Sequence, residues 1–239
     1  MFSRFKESFI LLSKEICERS KKKSSDQQMR ALVLFKGTGS IDRALERCGF
    51  KVDSLDIDPS CNATWTANVL EWEAWKDMAP GVYDFIWASV PCQHYSRART
   101  RAKTPRNLEL ADSIVERTLE IIRELAPRAW LLENPQTGLL KTRPFMQGYP
   151  FQDVTYCRYA EGTQWNYRKA TRLFGVLPTF VPRPMCTPRD PCELSAATGK
   201  HPDTAQRGGT RRHTLNELYS IPTELCMDIA RAAVEACSN

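Results

Sequence analysis

Ala31-Leu32-Val33-Leu34-Phe35-Lys36-Gly37-Thr38-Gly39 decides the fold: a short apolar run breaks on two glycines and passes into a segment of helical period. The run has the length of a buried strand. From Ser40, a residue able to cap a helix, Ile41, Ala44, Leu45 and Cys48 recur on one face, and Gly49 stops the pattern. Val52-Asp53-Ser54-Leu55 reads as a second strand, closing on Asp56-Ile57-Asp58-Pro59. Strand, helix and strand within about 25 residues make a βαβ unit, and with it an α/β fold on a mostly parallel sheet.

Working toward the C-terminus, Tyr83 to Val90 is a further apolar strand and ends in Pro91-Cys92-Gln93. A polar loop follows from Gln93 to Arg106, carrying Arg97, Arg99, Arg101, Lys103 and Arg106. The spacing then predicts a helix from Leu108 to Leu125, with Leu108, Ala111, Val115, Leu119 and Ile122 inward and Asp112, Glu116, Glu120 and Arg123 outward. Pro127 ends it, and Ala129-Trp130-Leu131-Leu132 leads into Glu133-Asn134-Pro135. Short strands are expected over 153–157 and 171–174, and a last helix over 222–236. Between Leu177 and Arg212 fall six of the chain's 15 prolines, so that stretch is expected to be irregular.

At the other end, Phe2, Phe5, Phe9, Leu12 and Ile16 recur at helical spacing before a basic, serine-rich stretch. Four units are expected: an N-terminal amphipathic helix and linker over 1–28, a catalytic domain over 29–176, a reduced irregular segment over 177–212, and a C-terminal helix over 213–239 that packs back on the domain. The chain has 239 residues, 42% hydrophobic and 26% charged, which suits an ordinary globular protein. No apolar stretch approaches the roughly 20 residues of a membrane span, and no secretory signal is expected. The nine cysteines are scattered and odd in number, which favours a reducing, intracellular compartment, with nucleus and cytoplasm unresolved. A net charge of +6 favours an anionic partner or simply serves solubility. A monomer is expected.

The chemistry-bearing residues sit at the carboxyl ends of the predicted strands, where open α/β sheets bind ligands. Cys92 and Glu133 are a thiol and a carboxylate able to face one crevice, an arrangement suited to nucleophilic attack on an electron-poor ring. Gly37 and Gly39 allow backbone to approach a ligand, and Asp56 ends the next strand, where an acidic side chain commonly accepts ribose hydroxyls. Taken singly, each has a structural reading: a small core thiol, a strand-end ion pair, a tight turn beside a capping aspartate.

As an ordered set, Phe35-Lys36-Gly37-Thr38-Gly39, Asp56, Pro91-Cys92-Gln93 with Tyr95-Ser96, Glu133-Asn134-Pro135 and Tyr167-Arg168-Lys169-Ala170-Thr171-Arg172 resemble the motif series of cytosine-C5 DNA methyltransferases, above all the short phage-, virus- and transposon-type members. The resemblance implies a Rossmann-like, S-adenosylmethionine-dependent methyltransferase fold with helices on both faces of the sheet. It implies that Cys92 adds to carbon 6 of a cytosine flipped out of duplex DNA, that Glu133 donates to the ring, and that Arg168 and Arg172 stand beside the nucleophile. For S-adenosylmethionine it implies Phe35, Gly37, Gly39, Asp56 and Ile57. The arginine loop would close over the backbone of the nucleic acid. RNA is the alternative substrate, and a catalytically silent cofactor- and nucleic-acid-binding partner the alternative class. Modification, restriction-partner and mobile-element roles look alike at this level. Lys36, Ser40 and Asn68 depart from the usual family residues, and Arg168 and Arg172 only approximate its Gln-x-Arg-x-Arg spacing. The short 177–212 segment predicts relaxed or very short sequence preference, because major-groove readout needs several rigidly held side chains.

The same segment carries Cys186, Cys192 and His201, with Cys157 and His213 as candidate fourth ligands for zinc. Cys-x5-Cys-x8-His is not a standard zinc spacing, so the alternative of unliganded thiols stays open.

Overall fold

The computed structural model describes residues 28–97, 102, 104–162, 164–205 and 213–238. The amphipathic helix expected in the first 27 residues lies outside them, as do Arg99, Arg101 and Lys103 of the polar loop and residues 206–212.

Seven strands form one sheet: β1 (Arg30–Leu34), β2 (Lys51–Asp56), β3 (Trp65–Thr66), β4 (Phe85–Ser89), β5 (Ala129–Pro135), β6 (Phe151–Thr155) and β7 (Ala170–Val176). Their order is β3-β2-β1-β4-β5-β7-β6, parallel from β3 to β5 and antiparallel where β7 joins β5 and β6. The order reverses direction between β1 and β4, which opens a crevice beyond their carboxyl ends.

Strand alternation sorts the core into two layers. Ala31, Val33, Phe85, Trp87, Ala129 and Leu131 pack toward helices α1 (Ser40–Arg47) and the C-terminal helix. Leu32, Leu34, Ile86, Ala88, Trp130 and Leu132 pack toward α2 (Leu108–Leu125). Central strands covered on both faces read as unbroken apolar runs, which is how β1 and β4 read. Two short helices, α3 (Glu193–Ala196) and α4 (Leu215–Tyr219), precede the C-terminal helix α5 (Thr223–Ser238). Among the described residues no helix is long and apolar enough to cross a membrane.

Two local expectations are corrected. The N-cap of α1 is Gly39, in the left-handed region at φ 66°, without a side-chain cap. Ser40 is the first helical residue, and its hydroxyl shares a hydrogen bond with Thr38 and accepts from the Ile221 backbone. The inward stripe of α2 is turned relative to the expectation. Thr118, Ile121 and Leu125 are buried with Ala111, Val115 and Ile122. Asp112, expected to face water, accepts from the Tyr95 hydroxyl and pairs with Arg143. At its start Asn107 caps α2 by accepting from the Leu110 backbone.

Candidate active site

An open cleft of about 1300 Å³ lies across the carboxyl ends of β1, β2, β4 and β5. Its two halves are built differently.

The first half is backbone and carboxylate. After β1 the chain turns through Phe35 (φ 62°), Gly37 (φ 52°) and Gly39 (φ 66°), three left-handed residues in five. A Cβ on Gly39 would stand 3.2 Å from Arg43 Nη1, so glycine serves both the conformation and the clearance there. Asp56, at the end of β2, locks the turn: its Oδ2 accepts from the Gly37 N–H (2.8 Å) and its Oδ1 from the Asp58 N–H (2.9 Å). The Asp56 carboxylate also lines the cleft, and a carboxylate oxygen can accept more than one hydrogen bond. Next to it Ile57 is 66% exposed on the cleft wall. An aliphatic side chain left open beside a carboxylate acceptor and a glycine turn fits a nucleoside: the ring against Ile57, the hydroxyls on Asp56.

The second half carries the thiol and the acid. Cys92 follows β4 and Glu133 sits near the end of β5, the adjacent parallel strand, where Ser89 pairs with Glu133 in register. Both side chains line the cleft. The Cys92 carbonyl accepts from the Tyr95 and Ser96 N–H groups (3.1 and 2.9 Å), which winds residues 92–96 into a tight turn. Tyr95 anchors that turn by its buried ring and by its bond to Asp112 (2.8 Å). Asn134 donates to the Val90 carbonyl (3.3 Å), tying the cysteine loop to β5.

Electrostatics couple the pair. Burial pushes the Cys92 thiol above its ordinary value, the Glu133 charge pushes it further, and Lys169 pulls it back. Glu133 is raised as well, foremost by burial, against the pull of Lys169. Its Oε1 is buried and has no hydrogen-bond partner among the described residues. A buried carboxyl oxygen without a partner calls for an explanation, and a ligand in the adjoining cleft supplies one.

All of the expected cofactor residues, together with Cys92 and Glu133, thus line one cleft. Arg168 and Arg172 do not. Arg168 donates through Nε to the Cys186 carbonyl (2.9 Å). Arg172 pairs with Asp153 (2.7 Å) and lies over the Phe151 ring, 3.5 Å from its centroid. Lys169, next to Arg168, lines the cleft, donates to the Leu218 carbonyl (3.0 Å) and stands over the Tyr156 ring. Sequence reading placed it within a motif without singling it out. His213 also reaches the cleft, its Nε2 2.7 Å from Asp203, and so is not a neighbour of the cysteines as entertained above. Cys157, Cys186, Cys192 and His201 gather elsewhere, with their ligand atoms within 4.8 Å of one another. Of the polar loop, Arg106 is engaged internally, donating to the His94 and Ser96 carbonyls.

The chain is similar to known proteins in sequence and in fold. The sequence profile of a family described as C-5 cytosine-specific DNA methylase matches residues 29–144. A relative from Frog virus 3 (isolate Goorha), described as a probable DNA (cytosine-5)-methyltransferase, is 32% identical over 219 residues, covering 84% of this chain and 98% of its own. Among solved structures, an Entamoeba histolytica methyltransferase, EhMeth, is similar with a TM-score of 0.45 and 16% identity, over 68% of this chain and 56% of that one. A Spodoptera frugiperda DNMT2 mutant is similar with a TM-score of 0.40 and 15% identity, over 74% and 54%. The chain therefore spans little more than half the length of either structure.

Proposed function

The chain belongs to the C-5 cytosine-specific DNA methylase family, and from that premise we propose that it methylates carbon 5 of cytosine in DNA, with Cys92 as nucleophile and Glu133 as the acid that holds the base. The observation that carries the reading is the convergence of Cys92, Glu133 and the Gly37–Asp56 turn on one cleft.

The family implies S-adenosylmethionine as cofactor: Asp56 would hold its ribose, Ile57 would flank the adenine and Phe35 would face the cationic sulfur, since an aromatic face attracts positive charge. Bound there, it supplies an electrophilic methyl group. The chain's own part is to make carbon 5 nucleophilic. The Cys92 sulfur bonds to carbon 6 and pushes an electron pair toward carbon 5 and N3. Glu133, kept protonated by its dry surroundings, donates to N3 and accepts from the exocyclic amine. Solvent water in the open cleft takes the C5 proton, its electron pair re-forms the C5–C6 double bond, and the C6–S bond breaks to return the sulfur as thiolate. Arg168 and Arg172 act as positioning residues that hold the segments flanking Lys169, and Lys169 sets the positive potential beside the thiol. A target cytosine reaches Cys92 only outside the helical stack, so the base is flipped.

The test is labelled methyl transfer to duplex DNA and to transfer RNA, run beside trapping on oligonucleotides containing 5-fluorocytosine. DNA is expected to be labelled, and the wild type to form a covalent complex that Cys92→Ala does not. Transfer RNA labelled in place of DNA would overturn the substrate. Methyl transfer that survives Cys92→Ala would overturn the nucleophile.

A further inference from the structure

Outside the cleft, the irregular segment after β7 has almost no apolar core of its own. Its buried cluster is Cys157, Cys186 and Cys192, with Leu194 packed against them. Three thiols fill the place where aliphatic side chains would stand. A cysteine buried alone behaves as a small hydrophobe. These are not alone: His201 Nε2 lies 3.3 Å from the Cys192 sulfur and 3.6 Å from the Cys186 sulfur.

We propose that Cys157, Cys186, Cys192 and His201 form a structural zinc site that fastens this segment to the catalytic sheet. All four ligand atoms lie within 4.8 Å of one another, and all three cysteines are free thiols. A zinc tetrahedron with arms of about 2.3 Å to sulfur and about 2.0 Å to nitrogen has edges of about 3.5–3.8 Å. The two sulfur–nitrogen separations match such edges, and the 4.8 Å bound on the whole set leaves about 1 Å at most for the ligands to close around the ion.

The surroundings are built for thiolates. The Cys192 backbone N–H points at the Cys186 sulfur (3.3 Å), and the Ser195 hydroxyl stands 3.6 Å from the Cys192 sulfur. Donors aimed at ligand sulfurs are what tune and orient a metal centre. The Cys186 backbone is fixed on both sides, its N–H donating to Thr155 Oγ1 (2.9 Å) and its carbonyl accepting from Arg168 (2.9 Å). On binding, three thiols release their protons to solvent, and the three thiolates with one dication carry a net charge of −1.

The connectivity gives the ion its purpose. Cys157 belongs to the turn that follows β6, whereas Cys186, Cys192 and His201 all come from the later segment. The metal is thus a cross-link between the sheet edge and a stretch that cannot bury enough apolar surface to hold itself. Arg168, drawn to the Cys186 carbonyl, links this clip to the strand that presents Lys169. The inference is independent of the catalytic reading.

The experiment is elemental analysis of the full-length protein expressed with zinc and dialysed under reducing conditions, together with cysteine alkylation mapped by mass spectrometry with and without a chelator. Equimolar zinc is expected, with Cys157, Cys186 and Cys192 protected until the chelator is added. Cys192→Ser should lose the metal, Cys48→Ser should retain it, and His201→Cys should retain it. Cobalt substitution should give tetrahedral thiolate spectra that shift between the wild type and His201→Cys. A metal-free wild type, a disulfide among the three cysteines, or alkylation indifferent to the chelator would overturn the site. The protection mapping uses the wild type alone, so the test holds even where a variant fails to fold.

Discussion

Asp42 offers the sharpest test of how the cleft is electrostatically built. It occupies the first turn of α1, is 5% exposed, and lines the cleft beside Lys36, whose ammonium lies 3.7 Å away. Its Oδ1 is buried without a hydrogen-bond partner among the described residues. Burial, only partly offset by Lys36, pushes the carboxyl up to about 6. An unfolded chain gives up that proton near pH 4, so between about pH 4 and pH 6 the folded state binds more protons than the unfolded one. Stability contributed by this residue therefore falls as pH rises through that window and stays low above it. The displacement is about two pH units, or about 3 kcal/mol as an upper bound. Asp42→Asn removes the titration, so the variant should match the wild type near pH 4 and exceed it by about 1–3 kcal/mol near pH 8. Urea denaturation of both proteins across that range measures the gap, and the subtraction cancels the titrating groups other than Lys36 and Glu46, whose charges interact with Asp42. A gap that is flat with pH, or a wild type that gains on the variant as pH rises, would refute the reasoning. If the gain is found, the carboxylate is a stability cost retained at the ligand-facing turn.

Further outcomes follow from the same geometry. Glu133→Gln deletes the second largest cause of the raised Cys92 thiol, so the pH profile of Cys92 alkylation should move down, while kcat for methyl transfer falls by about 10²–10³ through loss of the positioned donor. Lys169→Gln should move the alkylation profile the opposite way, since Lys169 lowers both Cys92 and Glu133. If the two variants shift the profile in one direction, the assigned charges are wrong. Gly175→Ala puts a Cβ 2.3 Å from the Trp130 carbonyl oxygen at a backbone φ of 127°, and strain with overpacking should cost about 2–6 kcal/mol in urea denaturation. A loss under about 0.5 kcal/mol would contradict the close register of β7 on β5.

The parts of the fold that were legible are those where period and burial coincide. β1, α1 and β2 read directly because the apolar pattern switches from a run to a helical repeat and back across two glycines. The two-residue β3 carries no pattern at all: Trp65 and Thr66 join the sheet only because β2 offers them an edge. The missed cap has the same kind of cause. Ser40 is a good capping residue by type, but the tight turn over the cleft claims the left-handed position for Gly39 and leaves the Ser40 hydroxyl to hold α5. At the site, Cys92, Glu133 and Asp56 were visible because strand ends are marked in sequence. Lys169 and His213 arrive from the residue just before β7 and from the stretch beyond it, and their approach is set by antiparallel pairing and loop closure, which no local pattern encodes. The cysteine and histidine cluster shows the same limit: the sequence offered both Cys157 and His213 beside Cys186, Cys192 and His201, and only the fold separates the two by bringing Cys157 to the other three.

Burial is the foremost reason that Cys92 and Glu133 are both pushed toward their neutral forms, and the Glu133 charge adds to the rise of the thiol. Two negative charges so close would repel, so at most one of the two groups carries a charge. That charge can reside on the carboxylate, with the thiol protonated, or on the sulfur, with the acid protonated. Only the second arrangement has a nucleophile and a donor at once, and it differs from the first by one proton moved across the cleft. Lys169 lowers both groups and so steadies the single charge in either location. Under the proposed mechanism, a cytosine whose N3 takes a hydrogen bond from the protonated acid would select the thiolate form, so the nucleophile would become reactive where its substrate is already seated.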